Sequence, residues 1–77
     1  MTQTEWKEIF ANNLIDLLNE RGMSQRQLAI DSGVSNAMIS EYINRMRMPG
    51  IAAVINIAYA LDVDISELVD FDERIDC

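Results

Sequence analysis

The segment from Ser24 to Arg47 constrains the fold more than any other part of this chain. Its apolar residues recur three and four positions apart, the spacing of an α-helix that buries one face. Gly33 divides two such runs, and a glycine just past a helix end adopts a left-handed backbone at little cost. The segment therefore predicts two short helices joined by a tight turn. The positions expected to pack are Leu28, Ala29, Gly33, Val34, Ile39 and Tyr42.

Both of these helices have a predicted N-cap. Ser24 opens an S-x-x-Q capping box with Gln27, and the hydroxyl of Ser35 is placed to accept from the backbone N–H of Ala37 or Met38. On the second helix, the side opposite the packed residues is predicted to hold Asn36, Ala37, Ser40, Glu41 and Asn44. Two packed helices with this outward side are typical of a helix-turn-helix, which places its second helix in the DNA major groove.

Three further helices are predicted around this pair. The first runs from about Glu5 to Arg21, with Thr4 as its N-cap and Gly22 as its end. A fourth follows Met48-Pro49-Gly50, with the proline suited to its entrance, and a short fifth begins at Asp64 of a D-x-x-E box. We predict an all-α, compact bundle of about five helices, with one domain over residues 1–70 and an acidic C-terminal tail over 71–77.

Composition argues against several classes of protein. The chain of 77 residues has no histidine, and its single cysteine is Cys77, so it has no internal disulfide or cysteine–histidine metal framework. No carboxylate pair or glycine-rich phosphate loop is placed for catalysis, so we predict no enzyme, no cofactor and no metal site. The N-terminal residues lack the pattern of a signal peptide, and no apolar run approaches the roughly 18–20 residues of a membrane span. We therefore expect a cytoplasmic protein.

The sequence resembles the DNA-binding domain of lambda-repressor-like phage regulators, a bacterial and phage family, over about residues 10–70. The fold class that this resemblance implies is the bundle predicted above, with the helix-turn-helix at its centre. The residues that carry the resemblance are Gly22-Met23-Ser24-Gln25, Leu28-Ala29, Gly33-Val34-Ser35, Ile39-Ser40, Tyr42-Ile43, Arg47, Pro49, Ile57-Ala58 and Ala60-Leu61.

The resemblance implies two sets of DNA contacts. The residues expected at base edges are Asn36, Ala37, Ser40 and Glu41. Those expected at phosphates are Ser24, Gln25, Arg26, Asn44, Arg45 and Arg47, with the N–H groups at Gly50–Ile51 as a further anion site. The side chains suit these roles, because asparagine pairs with adenine, alanine meets a thymine methyl group and glutamate accepts from cytosine N4.

The sequence departs from the family pattern at three positions. Leu18 and Ile43 stand where the family often has an arginine and a glutamate, and we expect these two apolar side chains to touch in place of an ion pair. Arg45 stands where the family often has a glycine after the second helix. A left-handed cap is then expected at Asn44, or else the helix continues further.

Charge is unevenly distributed along the chain, whose formal net charge is −7. Residues 21–61 hold four arginines and two acidic residues, whereas residues 62–77 hold one arginine and seven acidic residues. The motif itself is therefore mildly basic, and with so few cations we expect weak non-specific DNA binding and a shallow salt dependence. The acidic end is compatible with a solvated terminus, a linker or dimer contact through Val69, Phe71 and Ile75, or a protein-docking tail.

Three functions remain open from the sequence. The first is a sequence-specific transcriptional regulator, a repressor that binds an inverted repeat of double-stranded DNA as a homodimer. The second is an antitoxin that uses the same domain and contacts a toxin through its acidic C-terminal end. The third is a protein-interaction module that has lost DNA binding.

Overall fold

The computed structural model describes residues 2–69, and for Gln3 its backbone alone. Over these residues the chain forms five helices and no strand, which confirms the predicted all-α bundle. They are α1 (Gln3–Arg21), α2 (Gln25–Ser32), α3 (Asn36–Ile43), α4 (Ile51–Leu61) and α5 (Ile65–Val69). The acidic tail predicted over 71–77, with Phe71 and Ile75, lies outside the described residues.

Helix α1 begins earlier than predicted. Thr2, and not Thr4, is its N-cap: the Thr2 hydroxyl accepts from the backbone N–H of Glu5, and the Glu5 carboxylate accepts in return from the Thr2 backbone N–H. The prediction of Thr4 was wrong because the T-x-x-E spacing belongs to Thr2 and Glu5. The far end agrees with the prediction, since Gly22 is left-handed with φ 62° and ends the helix.

The predicted serine caps of α2 and α3 are present, but the predicted capping box at α2 is only half formed. The Ser24 hydroxyl accepts from the Gln27 backbone N–H at 3.0 Å, and the Ser35 hydroxyl accepts from that of Met38 at 3.2 Å. The Gln27 side chain does not return to Ser24, because its amide donates forward to Asp31 at 2.8 Å. The box prediction was therefore wrong in this second half.

One hydrophobic core joins the five helices. Helix α1 packs against α3, α4 and α5, α2 packs against α3 and α4, and α4 packs against α5. The side chains with no more than 2% exposure include Phe10, Leu14, Leu28, Ile39, Tyr42, Ile57, Leu61 and Leu68. The predicted inward faces of the helices therefore meet in the interior, and burial of this apolar surface is the main stabilising contribution.

The start of α4 differs slightly from the prediction. Pro49 is buried but precedes the cap of α4, so the chain enters that helix through Gly50 and not directly through the proline.

Helix α5 is joined to α1 by a side-chain hydrogen bond. The Asn13 side-chain amide donates to the Leu68 carbonyl at 2.8 Å. This hydrogen bond joins α5 to the middle of α1.

Candidate nucleic-acid interface

Helix α3 is held by its inward face. Ile39 is fully buried, and the Tyr42 ring meets the Phe10 ring edge-on with their centroids 5.8 Å apart. Phe10 in turn contacts Trp6 at 6.0 Å between ring centroids, so the support for α3 extends along α1. Both α1 and α2 pack against α3 and hold it on the core.

The outward face of α3 contains the residues predicted at base edges. Asn36 and Ala37 are exposed at the first turn, whereas Ser40 and Glu41 are half-buried one turn later. The N-terminal end of this face is thus more exposed to solvent than the following turn. In helix-turn-helix proteins the N-terminal residues of the recognition helix contact base edges. All four side chains lie on α3.

The N-termini of α2 and α4 are the two anion sites predicted from the sequence. Ser24, Gln25 and Arg26 are exposed at the start of α2, and the Ser24 hydroxyl is already engaged as the cap. At the start of α4, Gly50 supplies no side-chain cap and Ile51 is exposed. Unpaired N–H groups and the helix dipole make such ends suitable for phosphate.

The turn after α3 overturns a prediction. Asn44 has φ −86°, and the left-handed residue is Arg45 itself, with φ 61°. The Arg45 N–H donates to the Tyr42 carbonyl at 3.1 Å, and the Met46 N–H donates to the Glu41 carbonyl at 2.8 Å. These two bonds form a Schellman motif, which places its left-handed residue one position after the cap and so on Arg45.

The polar side chains of this turn are bound within the protein. The Arg45 guanidinium donates to the side-chain oxygen of Asn12 on α1, and through its other terminal nitrogen to the Ile43 carbonyl at 3.3 Å. The Asn44 amide donates back to the Ser40 carbonyl at 2.9 Å and to its hydroxyl at 3.3 Å. Asn44 would therefore exchange its amide partners in order to bind phosphate, whereas the Arg45 guanidinium has further N–H groups beyond those in these two bonds.

Glu41 and Arg47 form the closest charged contact of the interface. The Arg47 Nε donates to Glu41 Oε1 at 2.5 Å. The Arg47 side chain is 51% exposed and the Glu41 side chain is 36% exposed. This hydrogen bond, and then the charge of Glu41, raise the pKa of Arg47 above its ordinary value. Beside them, burial raises the pKa of the Tyr42 hydroxyl, while the charge of Arg47 lowers it and that of Glu41 raises it.

The predicted apolar brace between Leu18 and Ile43 is compatible with the structure. Leu18 is 7% exposed in the core, and Ile43 is half-buried against the same cluster. Neither side chain is mostly exposed, and α1 packs on α3. Their direct contact stays a prediction.

An exposed apolar stripe on α4 is a feature that the sequence reasoning missed. Ile51, Ile55 and Tyr59 are four positions apart and are 71%, 45% and 87% exposed. The four-residue spacing was readable as one helix face. The inward side of α4 holds Val54, Ile57, Ala58 and Leu61, so this helix has apolar residues on both sides.

Other kinds of site find little support in the part of the chain that is described. Within residues 2–69, no three His, Cys, Asp or Glu side chains are grouped so that they could hold a metal ion. None of the described helices has the length and hydropathy required to cross a membrane.

Comparison with known proteins gives a consistent set of relatives. The family model HTH_3, described as helix-turn-helix, matches residues 14–68. An HTH_3 family transcriptional regulator from Vibrio cholerae matches with a TM-score of 0.88 and 31% identity over 96% of this chain. The restriction-modification controller protein C.AhdI from Aeromonas hydrophila matches with a TM-score of 0.75 and 28% identity over 78% of this chain and 91% of its own. Among curated proteins, the comparison found no match.

The Vibrio cholerae regulator is much longer than the region of likeness. The present chain spans 42% of that protein, so the likeness concerns one part of it. The matched region of the family model begins in α1 and ends in α5, and therefore includes both helices of the motif and the turn at Arg45.

Proposed function

The chain belongs to the HTH_3 family of helix-turn-helix proteins, and we propose that it is a sequence-specific, DNA-binding transcriptional regulator that acts as a repressor. The observation that carries this proposal is the exposed N-terminal end of α3, with Asn36 and Ala37, on a helix whose opposite face is buried through Ile39 and Tyr42. A helix fixed in this way can enter the major groove without reorganising the domain. The Vibrio cholerae transcriptional regulator and the restriction-modification controller protein, both of similar fold, support the same class of function.

The proposed roles are those that the family resemblance implies, and the chemistry of the side chains supports them. Asn36 and Ala37 contact base edges, with Ser40 and Glu41 as base contacts one turn further along α3. The phosphate contacts come from the start of α2, where Ser24, Gln25 and Arg26 lie, and from the turn after α3, where Asn44, Arg45 and Arg47 lie. The first group determines the sequence that is bound, and the second determines the position of the domain on the duplex.

We propose further that two copies bind an inverted repeat. Helix-turn-helix dimers contact half-sites about one helical turn of DNA apart, so each copy supplies one α3. The exposed stripe of Ile51, Ile55 and Tyr59 supports association through α4, because contiguous exposed apolar side chains are typical of protein–protein contacts. Sedimentation analysis of Tyr59→Ser, with Ile30→Ser on α2 as the exposed apolar control, tests this. An unchanged dimer in Tyr59→Ser would contradict the use of this stripe.

The experiment that tests the proposed function is selection of bound sequences from a random DNA pool, followed by titration of the selected duplex. We expect an enriched inverted repeat, which also gives the half-site spacing. Failure to enrich any sequence, together with no saturable binding at low salt, would contradict DNA binding and favour a protein-interaction module.

Two variants separate the proposed roles on the selected duplex. Asn36→Ala should cost about 1–3 kcal/mol of binding free energy and relax the preference at one base pair. Arg47→Ala should weaken binding to every duplex in a similar ratio. Arg21→Ala is the matched control for loss of one arginine, since its guanidinium donates to the Asp62 carbonyl at 3.5 Å between α1 and the end of α4. Equal losses on all sequences for Asn36→Ala and Arg47→Ala would contradict the assignment.

A further inference from the structure

We propose that the Glu41–Arg47 ion pair makes Glu41 a specificity-determining residue, because it allows Arg47 to bind phosphate favourably only where Glu41 also finds a base partner. This inference rests on the DNA-binding function proposed above. In addition to that function, the ion pair couples one base contact to one phosphate contact. The family resemblance implies these contacts only as two separate sets.

The ion pair exists because of the turn between its members. Glu41 and Arg47 are six positions apart, which on a continuous helix would place them on different sides. The left-handed residue Arg45 reverses the chain after α3, and Arg47 Nε thereby reaches Glu41 Oε1 at 2.5 Å. The pair is thus a product of this particular turn geometry.

The two proposed DNA roles use the atoms that the ion pair occupies. A phosphate oxygen bound by Arg47 would take the place of the Glu41 carboxylate, and a cytosine N4 amino group bound by Glu41 would take the place of the Arg47 guanidinium. Both side chains are partly exposed, so each can make the exchange without opening the core. Binding of DNA therefore replaces one internal contact by two external ones.

The outcome of this exchange depends on the base pair that faces Glu41. With a cytosine amino group there, both charged groups regain a partner. With a base at that position that presents no amino group, guanine or thymine, the carboxylate is left beside negatively charged phosphates. Arg47 then either stays with Glu41 or leaves it unpaired. A repulsive contact with the wrong partners raises specificity as effectively as an attractive contact with the right one.

The other arginines of the motif differ in this respect. Arg45 donates to the uncharged side chain of Asn12 and to a backbone carbonyl, so its positive charge remains available to phosphate. Arg26 is exposed at the start of α2. Among the described residues, Arg47 is the cation of the motif whose charge is opposed by a carboxylate in direct contact.

The test measures the affinity and its salt dependence on three duplexes for the wild type, Glu41→Gln, Arg47→Gln and the double variant. The duplexes are the selected sequence, the same sequence with the base pair facing Glu41 replaced, and an unrelated sequence. Glu67→Gln is the control for loss of one carboxylate, since Glu67 is exposed on α5, which packs on α1 and α4. Thermal unfolding of each variant checks that the domain is folded.

We expect Glu41→Gln to raise the affinity for the unrelated duplex about fivefold and to reduce discrimination at the base pair facing position 41. Because one more phosphate contact is gained, the slope of log K against log salt on that duplex should steepen by about 0.9. The gain in affinity and the steeper slope should vanish in the Arg47→Gln background, and Glu67→Gln should show neither.

The outcomes separate this inference from the function on which it rests. If the wild type binds no duplex, the proposed function and this inference both fail. If the wild type binds its selected duplex but Glu41→Gln behaves like Glu67→Gln, the inference alone is overturned. A gain in Glu41→Gln that persists without Arg47 would also overturn it, since the effect would then come from general repulsion.

Discussion

The two turns that flank α3 use the same left-handed backbone but different residues. Before α3, Gly33 has φ 75°, and its N–H donates to the Ala29 carbonyl at 3.0 Å. After α3, Arg45 has φ 61° and carries a full side chain. Glycine adopts this conformation freely, whereas other residues pay roughly 1–2 kcal/mol for it.

The difference shows which turn contributes a side chain to the surface. Apart from its chain neighbours, no heavy atom lies within 4 Å of the position that a Gly33 Cβ would take, and the glycine places no side chain on the surface. Arg45 instead joins the end of α3 to Asn12 on α1, and its backbone directs the chain so that Arg47 reaches Glu41. The strained turn therefore organises the charged part of the proposed interface, which a glycine would leave without one of its cations.

The largest expected effect is on stability, and it tests whether α3 is held by its buried face or by the two turns that flank it. Ile39→Ala should lower the free energy of unfolding by about 2–5 kcal/mol, because Ile39 is fully buried and truncation leaves a cavity. Met46→Ala, at a side chain 72% exposed in the second turn, should change it by less than about 0.5 kcal/mol. Chemical denaturation measures both. Similar losses would mean that the turn, and not the buried face, holds α3.

The next effect tests the first turn. Gly33→Ala should lower the free energy of unfolding by about 1 kcal/mol, since the left-handed strain is partly offset by the reduced freedom of the unfolded chain. Gly22→Ala is the parallel variant, with φ 62° and equally open space around its Cβ position. Denaturation of the two variants should give similar losses. If neither variant lost stability, the argument that a left-handed backbone strains non-glycine residues in these turns would be contradicted.

At the second turn, a change of the left-handed residue should raise the free energy of unfolding once the contact with Asn12 is absent. Arg45→Gly relieves strain but loses the contact with Asn12, so in the wild-type background the free energy of unfolding should change little. In the Asn12→Ala background the contact is already absent, and Arg45→Gly should then stabilise by up to about 1 kcal/mol. A double-mutant cycle measures this difference. Additivity of the two changes would show that the hydrogen bond to Asn12 contributes nothing.

The smallest effect concerns pH and the residue that links α3 to α1. Burial raises the Tyr42 pKa above its value in the unfolded chain, so the folded state favours the protonated hydroxyl. This contribution to stability is complete below the unfolded pKa of about 10 and is lost as pH rises through the folded value. When the pH is raised above about 10, the melting temperature of Tyr42→Phe should therefore fall less than that of the wild type. Thermal unfolding over a series of pH values measures this difference.

Local signals predicted the helices well. Ser24, Ser35, Gly22 and Gly33 act on backbone groups within a few residues, so their roles could be inferred without the fold. The start of α1 was misplaced although the T-x-x-E signal at Thr2 was present in the sequence. Even this error concerned only two residues at one helix end.

The charged contacts of the interface could not be predicted in the same way. The sequence offered Asn44 as the natural left-handed residue, yet its side chain binds Ser40 and the strain falls on Arg45. The partner of Arg45 is 33 positions away on α1, and that of Arg47 lies across a turn. Such distances depend on how helices pack, which periodicity alone does not specify.

The sequence by itself determined the five helices, their inward faces and the face of α3 available to DNA, because caps and helical periodicity act over three or four residues. Only the tertiary structure decided which residue took the left-handed turn, which cations were already paired and which side of α4 remained uncovered. These features depend on the angles and positions at which the helices pack. The residues of the proposed reading face are thus encoded locally, whereas the pairing of Glu41 with Arg47 arises from the path of the chain after α3.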